Sequence, residues 1–275
     1  MQRILTTIVT LFILAAPVWG WGEEGHRLVS EIAWDGLSPG LRTKISEILS
    51  HHPDAGVRTL SDASVWPDKI RDRSHPFHLY HRPVWHYQDR LIKETDLPVE
   101  LEGRLLENLD KQCRVLSDPR STLGAKAVAL SWIAHLVGDV HQPLHNSELY
   151  DERFPQGDWG GNRYEVVLGQ EALSLHRLWD SAGGRFLYPP SSERLESYRI
   201  WFQEKHPARS YDELESEDFQ IWSDEGLSRA IETYDSVALG TKIEPQALQQ
   251  ILDVSERRIT LGGYRLALLL ERILK

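Results

Sequence analysis

The segment His135-Leu-Val-Gly-Asp139-Val-His141-Gln-Pro143-Leu-His145 concentrates more coordinating chemistry than any other stretch of this chain. His135 and Asp139 are four residues apart, so on a helix they share a face and can reach one metal ion. Pro143 ends such a helix and lets the chain turn His145 back toward the same site. A second pair with this spacing, His176 and Asp180, follows on the next predicted helix. Imidazole and carboxylate ligands without a thiolate suit zinc before manganese or iron. One H-x3-D pair arises often by chance. Two of them beside His145, on a helix that is otherwise apolar, carry more weight, because a buried Asp139 without a counter-charge would be costly. For His135 or Asp139 alone, a satisfied core side chain is the simpler account; the set His135, Asp139, His145, His176 and Asp180 together reads as a metal site. His141 lies about 120° from the His135 face and is left as a structural or supporting residue. His51, His52, His75, His78, His81 and His206 are assigned to surface or loop.

The elements that must position these residues are mostly helical. Leu28, Val29, Ile32, Ala33 and Leu37 fall on one face of a first helix, and Ser38-Pro39 reads as the N-cap and first residue of a second, with Leu41, Ile45, Ile48 and Leu49 inward. Residues 51–97 are rich in His, Pro, Asp and aromatics and read as a long functional loop region. Leu101, Leu105, Leu106, Leu109, Cys113 and Leu116 mark a helix over 98–116. Residues 124–139 are apolar nearly all round, as in a central helix. A turn-rich segment at Gly157–Gly161 precedes a short strand at YEVVL, and 170–182 reads as a helix ending at Gly183-Gly184. Three further helices fill about 190–274. Without repeats or a clear linker, the expectation is one all-α domain over 21–275.

Composition narrows the class. The 275 residues carry 31 Lys+Arg against 41 Asp+Glu, a net charge of −10, which argues against a broad basic surface for gripping duplex nucleic acid. It leaves room for a nuclease whose positive charge arrives as bound metal. A single cysteine excludes an intramolecular disulfide framework and any Cys-rich zinc finger. Twelve histidines and ten tryptophans are both high for this length. At the amino terminus, Arg3 precedes an apolar run from Ile4 to Ala16, and Val18 and Gly20 suit a signal-peptidase site, so residues 1–20 are expected to be a signal peptide cut before Trp21. The run is short for a membrane anchor. A secreted or periplasmic protein with one cysteine would then depend on metal for stapling.

These residues resemble the secreted, zinc-dependent, single-strand-specific nucleases of fungi, plants and bacteria, the S-one/P-one nuclease family. The resemblance rests on the start Trp21-Gly-x-x-Gly-His26, on Trp66-Pro-Asp68 where the family has W-A-D, and on Trp85-His-Tyr87. It continues through HLVGDVHQPLH, the GGN of residues 160–162, LHRLWD of 175–180 and GGYRLALLL near the carboxyl terminus. By that resemblance the fold is a mainly helical domain with long loops around three zinc ions. One zinc is taken by Asp68, His86, His135 and Asp139, and a second by His145, His176 and Asp180. The third falls to His26, Asp139 and the free amine and carbonyl of Trp21, which requires cleavage before that residue.

The resemblance further implies hydrolysis of single-stranded DNA and RNA to 5′-phosphorylated products, with 3′-nucleotides as further substrates, by a monomer without a stable membrane anchor. A zinc-activated hydroxide would attack phosphorus in line, with Asp68 orienting it and Arg71 bracing the transition state. Tyr87 and Asp89 would stack on the base and hydrogen-bond its edge, and Asn162 would position the His176 helix or touch substrate. Pro67 replaces the usual alanine and is expected to stiffen an Asp68 loop. The cysteine pairs of fungal and plant members are absent, Ser181 stands where several relatives carry asparagine, and Tyr150–Asp158 belongs to an insertion. Two other readings are a zinc-dependent phospholipase C and a non-catalytic periplasmic zinc-binding protein. Asp180, GGN and W-H-Y-x-D favour the nuclease over the first, and ligands shared between metals favour it over the second.

Overall fold

The computed structural model describes residues 21–186 and 189–275; the expected leader, 1–20, lies outside them. Among the described residues, the apolar periodicity resolves into α1 (Glu23–Gly36), α2 (Pro39–Ser50), α3 (Leu60–Lys69), α4 (Leu105–Ser117), α5 (Leu123–His141), α6 (Leu175–Asp180), α7 (Ser192–Lys205), α8 (Phe219–Ser236) and α9 (Pro245–Leu274). One antiparallel hairpin pairs β1 (Glu165–Leu168) with β2 (Glu171–Ser174). The fold is mainly helical, as expected.

Helix α5 is the axis. Thr122 caps its first turn by accepting from the Ala125 amide, and every residue from Ala129 to His141 is buried. Its length and apolarity would suit a membrane span, yet α1, α3, α4 and α9 pack around it. Helix α9 lies along α1 as well as α5, and the GGY block explains how. A Cβ on Gly263 would stand 2.6 Å from the Ile32 side chain, and one on Gly262 3.2 Å from the His141 ring, so the paired glycines let three helices approach closely. One hydrophobic cluster runs through the chain from Trp21 to Leu274.

Three sequence expectations need correction. The stretch 51–97 contains α3, so Asp68 sits in the last turn of a helix and not on a loop stiffened by Pro67. A reciprocal capping box starts that helix: Thr59 accepts from the Asp62 amide, and the Asp62 carboxylate accepts from the Thr59 amide. Helix α4 begins at Leu105 and not at 98. Backbone groups that would extend it are engaged elsewhere: the Glu100 amide and carbonyl bond to the Tyr150 hydroxyl, and the Glu102 and Gly103 amides donate to Asp89. The predicted helix over 170–182 splits into β2 and α6, with Ser174 capping α6 by accepting from the Arg177 amide. Ser38 takes the N-cap position of α2 with Pro39 behind it, but its side chain makes no capping bond.

Candidate metal centre

The four-residue spacing in α5 does what it predicts. His135 Nε2 stands 3.2 Å from Asp139 Oδ2, both residues fully buried. Helix α1 adds His26, whose ring stacks on His135 at 4.0 Å and whose Nε2 is 3.4 Å from Asp139 Oδ1. Helix α3 adds Asp68. The 3-10 turn Pro83–Trp85 delivers His86, with Nδ1 3.3 Å from Asp139 Oδ2 and 2.9 Å from His135 Nε2. After Pro143 the chain turns through Pro143–Asn146 and returns His145 to within 3.4 Å of Asp139 Oδ1. Helix α6 brings His176 and Asp180 3.5 Å apart, with His176 Nε2 3.2 Å from His145 Nε2.

Three groups of ligand atoms emerge that could each hold a metal ion: His26, His135 and Asp139; Asp68, His86 and His135; and His145, His176 and Asp180. All are buried. His135 lies within reach of two of the groups, where the resemblance shares Asp139. Trp21 is fully buried at the start of α1, with the next amide, that of Gly22, donating to the Asp180 carbonyl at 2.9 Å.

The donor set fits a metal on several observations. Both oxygens of Asp139, Oδ1 of Asp68, both ring nitrogens of His26 and Nε2 of His86 are buried without a hydrogen-bond partner. Leaving that many polar atoms dry and unpaired is expensive unless a cation lies among them. Nδ1 of His135 lies 2.7 Å from the Ser64 carbonyl, that of His145 2.5 Å from the His86 carbonyl, and that of His176 2.6 Å from the Gly160 carbonyl. Each ring thus donates Nδ1–H to the backbone and turns Nε2 inward, as ligating imidazoles do. Two inward lone pairs 3.2 Å apart on His145 and His176 repel unless a positive charge sits between them.

Electrostatics follow the same layout. Burial pushes His26 down to about 4, helped by His135, and His176 down to about 3, helped by His145. Burial alone would also lower His135, but Asp139 and Asp68, with the bond to Ser64, raise it to about 9. Burial would raise Asp139, but His135 and His145 hold it well below the carboxylate range. Asp180 is pushed well up by burial, against a 2.8 Å bond donated by the Gln142 side chain.

The centre sits at a cavity of about 790 Å³ whose lining includes His86, His145 and His176. Arg71, Tyr87, Asp89 and Asn162, expected at the substrate, line it too. Arg71 Nη1 is 3.8 Å from Asp68 Oδ1. Tyr87 is half-buried, its hydroxyl pushed up to about 12 by burial and by nearby Asp89, Glu102 and Glu148. Asp89 Oδ2 is engaged by the Glu102 and Gly103 amides at 2.8 and 3.0 Å, a loop-anchoring role the sequence did not indicate. The Asn162 amide donates to the Trp159 carbonyl at 2.7 Å, while its Oδ1 is buried without a partner.

Sequence reasoning missed several neighbours. His81, assigned to a loop, lines the cavity, lowered to about 4 by burial, His86 and Arg71. Glu148 and Trp159 line it as well, and only tertiary contact reveals them. Gln142 sits inside the H-D-H segment and could have been flagged there. His141 donates Nδ1–H to the Val137 carbonyl at 2.7 Å and meets Arg265 Nη1 at 3.1 Å, apart from the ligand groups.

Residues 21–275 match the family model described as S1/P1 nuclease. Endonuclease 2 of Arabidopsis thaliana is 26% identical over 291 residues, 98% of this chain and 97% of that protein. Nuclease S1 of Aspergillus oryzae is 26% identical over 66% of this chain and 60% of its own length. Nuclease P1 of Penicillium citrinum is 23% identical over 90% of this chain and 95% of its own. The match is to nucleases, and it joins a metal-dependent family to a structure with three His/Asp groups that could hold metal. The chain belongs to the S1/P1 nuclease family and is a hydrolase of nucleic acids.

Proposed function

We propose that this chain is a secreted or periplasmic, zinc-dependent nuclease of one domain, active as a monomer, that cuts single-stranded DNA and RNA to 5′-phosphorylated products and dephosphorylates 3′-nucleotides. The observation that supports it best is the set of buried, partnerless Asp139, Asp68, His26 and His86 atoms, beside a cavity that His86, His145 and His176 line. Three zinc ions would be held by Asp68, His86, His135 and Asp139; by His145, His176 and Asp180; and by His26, Asp139 and the amine and carbonyl of Trp21. When bound, zinc supplies positive charge for a phosphate and a water that ionises near neutral pH.

The chain's own residues complete the site. Asp68 Oδ1, buried without a donor, would orient a water. Arg71, about one-third exposed at the cavity wall, offers a guanidinium to phosphate oxygens. The Tyr87 ring gives a base a flat apolar face, and Asn162 Oδ1 is an acceptor still to be satisfied. The Asp89 oxygen not used by the 102–103 amides is left for a base edge. Stacking on a base requires that it be unstacked first, which favours single strands over duplex.

The test is hydrolysis of a single-stranded oligonucleotide by protein beginning at Trp21, with and without chelator, beside a duplex and phosphatidylcholine. Chelator-sensitive, 5′-phosphorylated products from the single strand are expected. Equal cleavage of the duplex would overturn single-strand specificity, and lipid cleavage alone would reassign the enzyme to the phospholipases C.

A further inference from the structure

Trp159 is a large apolar ring that the fold holds out of the core. It is 58% exposed, and its backbone has φ 59°, a left-handed conformation that disfavours any residue with a Cβ. Its neighbours Gly157, Gly160 and Gly161 share positive φ, so glycine would fit this position with less strain. The strained segment is nonetheless tightly fixed. Glu148 accepts from the Trp159 amide at 2.8 Å and from the Gly160 amide at 3.1 Å. The Trp159 carbonyl accepts from the Asn162 side chain at 2.7 Å. The Arg163 guanidinium lies 3.6 Å from the ring centroid and also donates to the Gly157 carbonyl at 3.2 Å. One face of the indole is therefore covered by a cation, and its exposure belongs to the other face and the edge.

That ring lines the same cavity as the candidate metal centre. The next residue, Gly160, supplies the carbonyl that orients His176. Tyr87 lines the cavity from a different segment, next to His86. Tyr150 also belongs to the lining but is buried; Tyr87 follows the ligand candidate His86, and Trp159 precedes the glycine that orients His176. We propose that Trp159 is a stacking platform for a second nucleobase, so that the bases flanking the cleaved phosphodiester rest on Tyr87 and on Trp159. The proposal rests on the nuclease reading above and adds a subsite of a different chemistry from the metal groups. An indole offers every base the same π face, so this contact favours substrates with two bases without selecting among sequences. Arg163 beneath the ring polarises it and leaves further guanidinium hydrogens for a phosphate.

The experiment uses zinc-loaded protein beginning at Trp21 and dinucleotides with one scissile phosphodiester, intact or abasic on the 5′ or the 3′ side. Trp159→Gly removes the ring at a φ that glycine prefers, and Trp159→Phe keeps an aromatic face. For the intact dinucleotide, Trp159→Gly is expected to raise KM about tenfold with kcat within about threefold, and Trp159→Phe to recover most of the loss. In the unmodified protein, one abasic position should raise KM by a similar factor, and in Trp159→Gly that position should cost less than about twofold more. An unchanged KM, a fall in kcat in its place, abasic penalties that persist in full at both positions, or Trp159→Phe behaving like Trp159→Gly would each overturn the platform. Should Trp159→Gly not fold, Trp159→Leu, with bulk and no π face, decides by the same criteria. Failure of unmodified protein to cleave any dinucleotide or single strand would instead overturn the nuclease reading.

Discussion

Asp139 turns two carboxylate oxygens toward four imidazoles, those of His26 and His145 at 3.4 Å, His86 at 3.3 Å and His135 at 3.2 Å. None of these contacts satisfies the oxygens as hydrogen bonds, so their stabilisation must come from positive charge at the centre. Asp139→Asn keeps the shape and removes that charge. It is expected to lower metal content, abolish hydrolysis and destabilise the fold by about 3–5 kcal/mol, the scale for breaking a buried ionic centre. Elemental analysis and denaturant melts check this, and full metal content with an unchanged rate would refute it. Glu148 makes a separate prediction. Burial, with Asp158 and Asp89 nearby, pushes it from 4.5 up to about 8, against the bonds from the Trp159 and Gly160 amides. Between those values the folded protein keeps a proton that the unfolded chain has lost, so this group's contribution to stability falls as pH rises through the interval and levels off above about 8. Glu148→Gln should therefore reduce the decline in thermal midpoint between about pH 4.5 and 8. An identical decline in both proteins would remove Glu148 as its source.

At the scale of elements, ligands within one helix and ligands between helices differ in how they can be read. His135 with Asp139 and His176 with Asp180 are legible in the sequence, because four-residue spacing is a property of the helix itself. His26, Asp68 and His86 reach the centre through tertiary packing, and no local pattern marks them; only the resemblance did. Helix α3 escaped periodic reading because it has almost no polar face: Leu60, Ser61, Ala63, Ser64, Val65, Trp66, Pro67 and Asp68 are all buried. The Thr59–Asp62 capping box was its one local signal. Helix α5, equally unsided, was legible by length and apolarity. Glu148 and Trp159 meet through a return of the chain that no periodicity encodes. Packing between α1 and α5 gives a test at this scale. A Cβ on Gly138 would stand 2.5 Å from His26 Nδ1. Gly138→Ala should gain up to about 1 kcal/mol in helix propensity and lose about 1–3 kcal/mol to overpacking. The expected net result is a less stable protein with displaced His26 and reduced metal content. A more stable variant with full metal content would mean that α1 can shift without harm to the site.

For the whole molecule, the question is what replaces covalent staples. Cys113 is a free thiol, pushed up to about 12 by burial, so neither disulfide nor thiolate chemistry holds the fold together. The candidate centre instead draws on α1, α3, α5, α6 and the turns that carry His86 and His145, elements spread over most of the described chain. Metal bound there ties distant segments together, and its binding free energy adds to folding. Chelator is accordingly expected to lower the thermal midpoint, while reductant leaves it unchanged. The amino terminus extends the same logic. Trp21 is fully buried, Gly25 leaves space for it where a Cβ would stand 2.7 Å from the Trp21 Cβ, and the Gly22 amide is bonded to the Asp180 carbonyl of α6. If the Trp21 amine is a ligand, the third metal site exists only in a chain that begins at that residue. Protein beginning at Trp21 should then bind one more zinc than protein with a single alanine placed before it, and should melt at a higher temperature. Native mass spectrometry counts the metals directly. Equal stoichiometry in the two proteins would remove the amine from the ligand set, while leaving the His145, His176 and Asp180 group to be tested on its own.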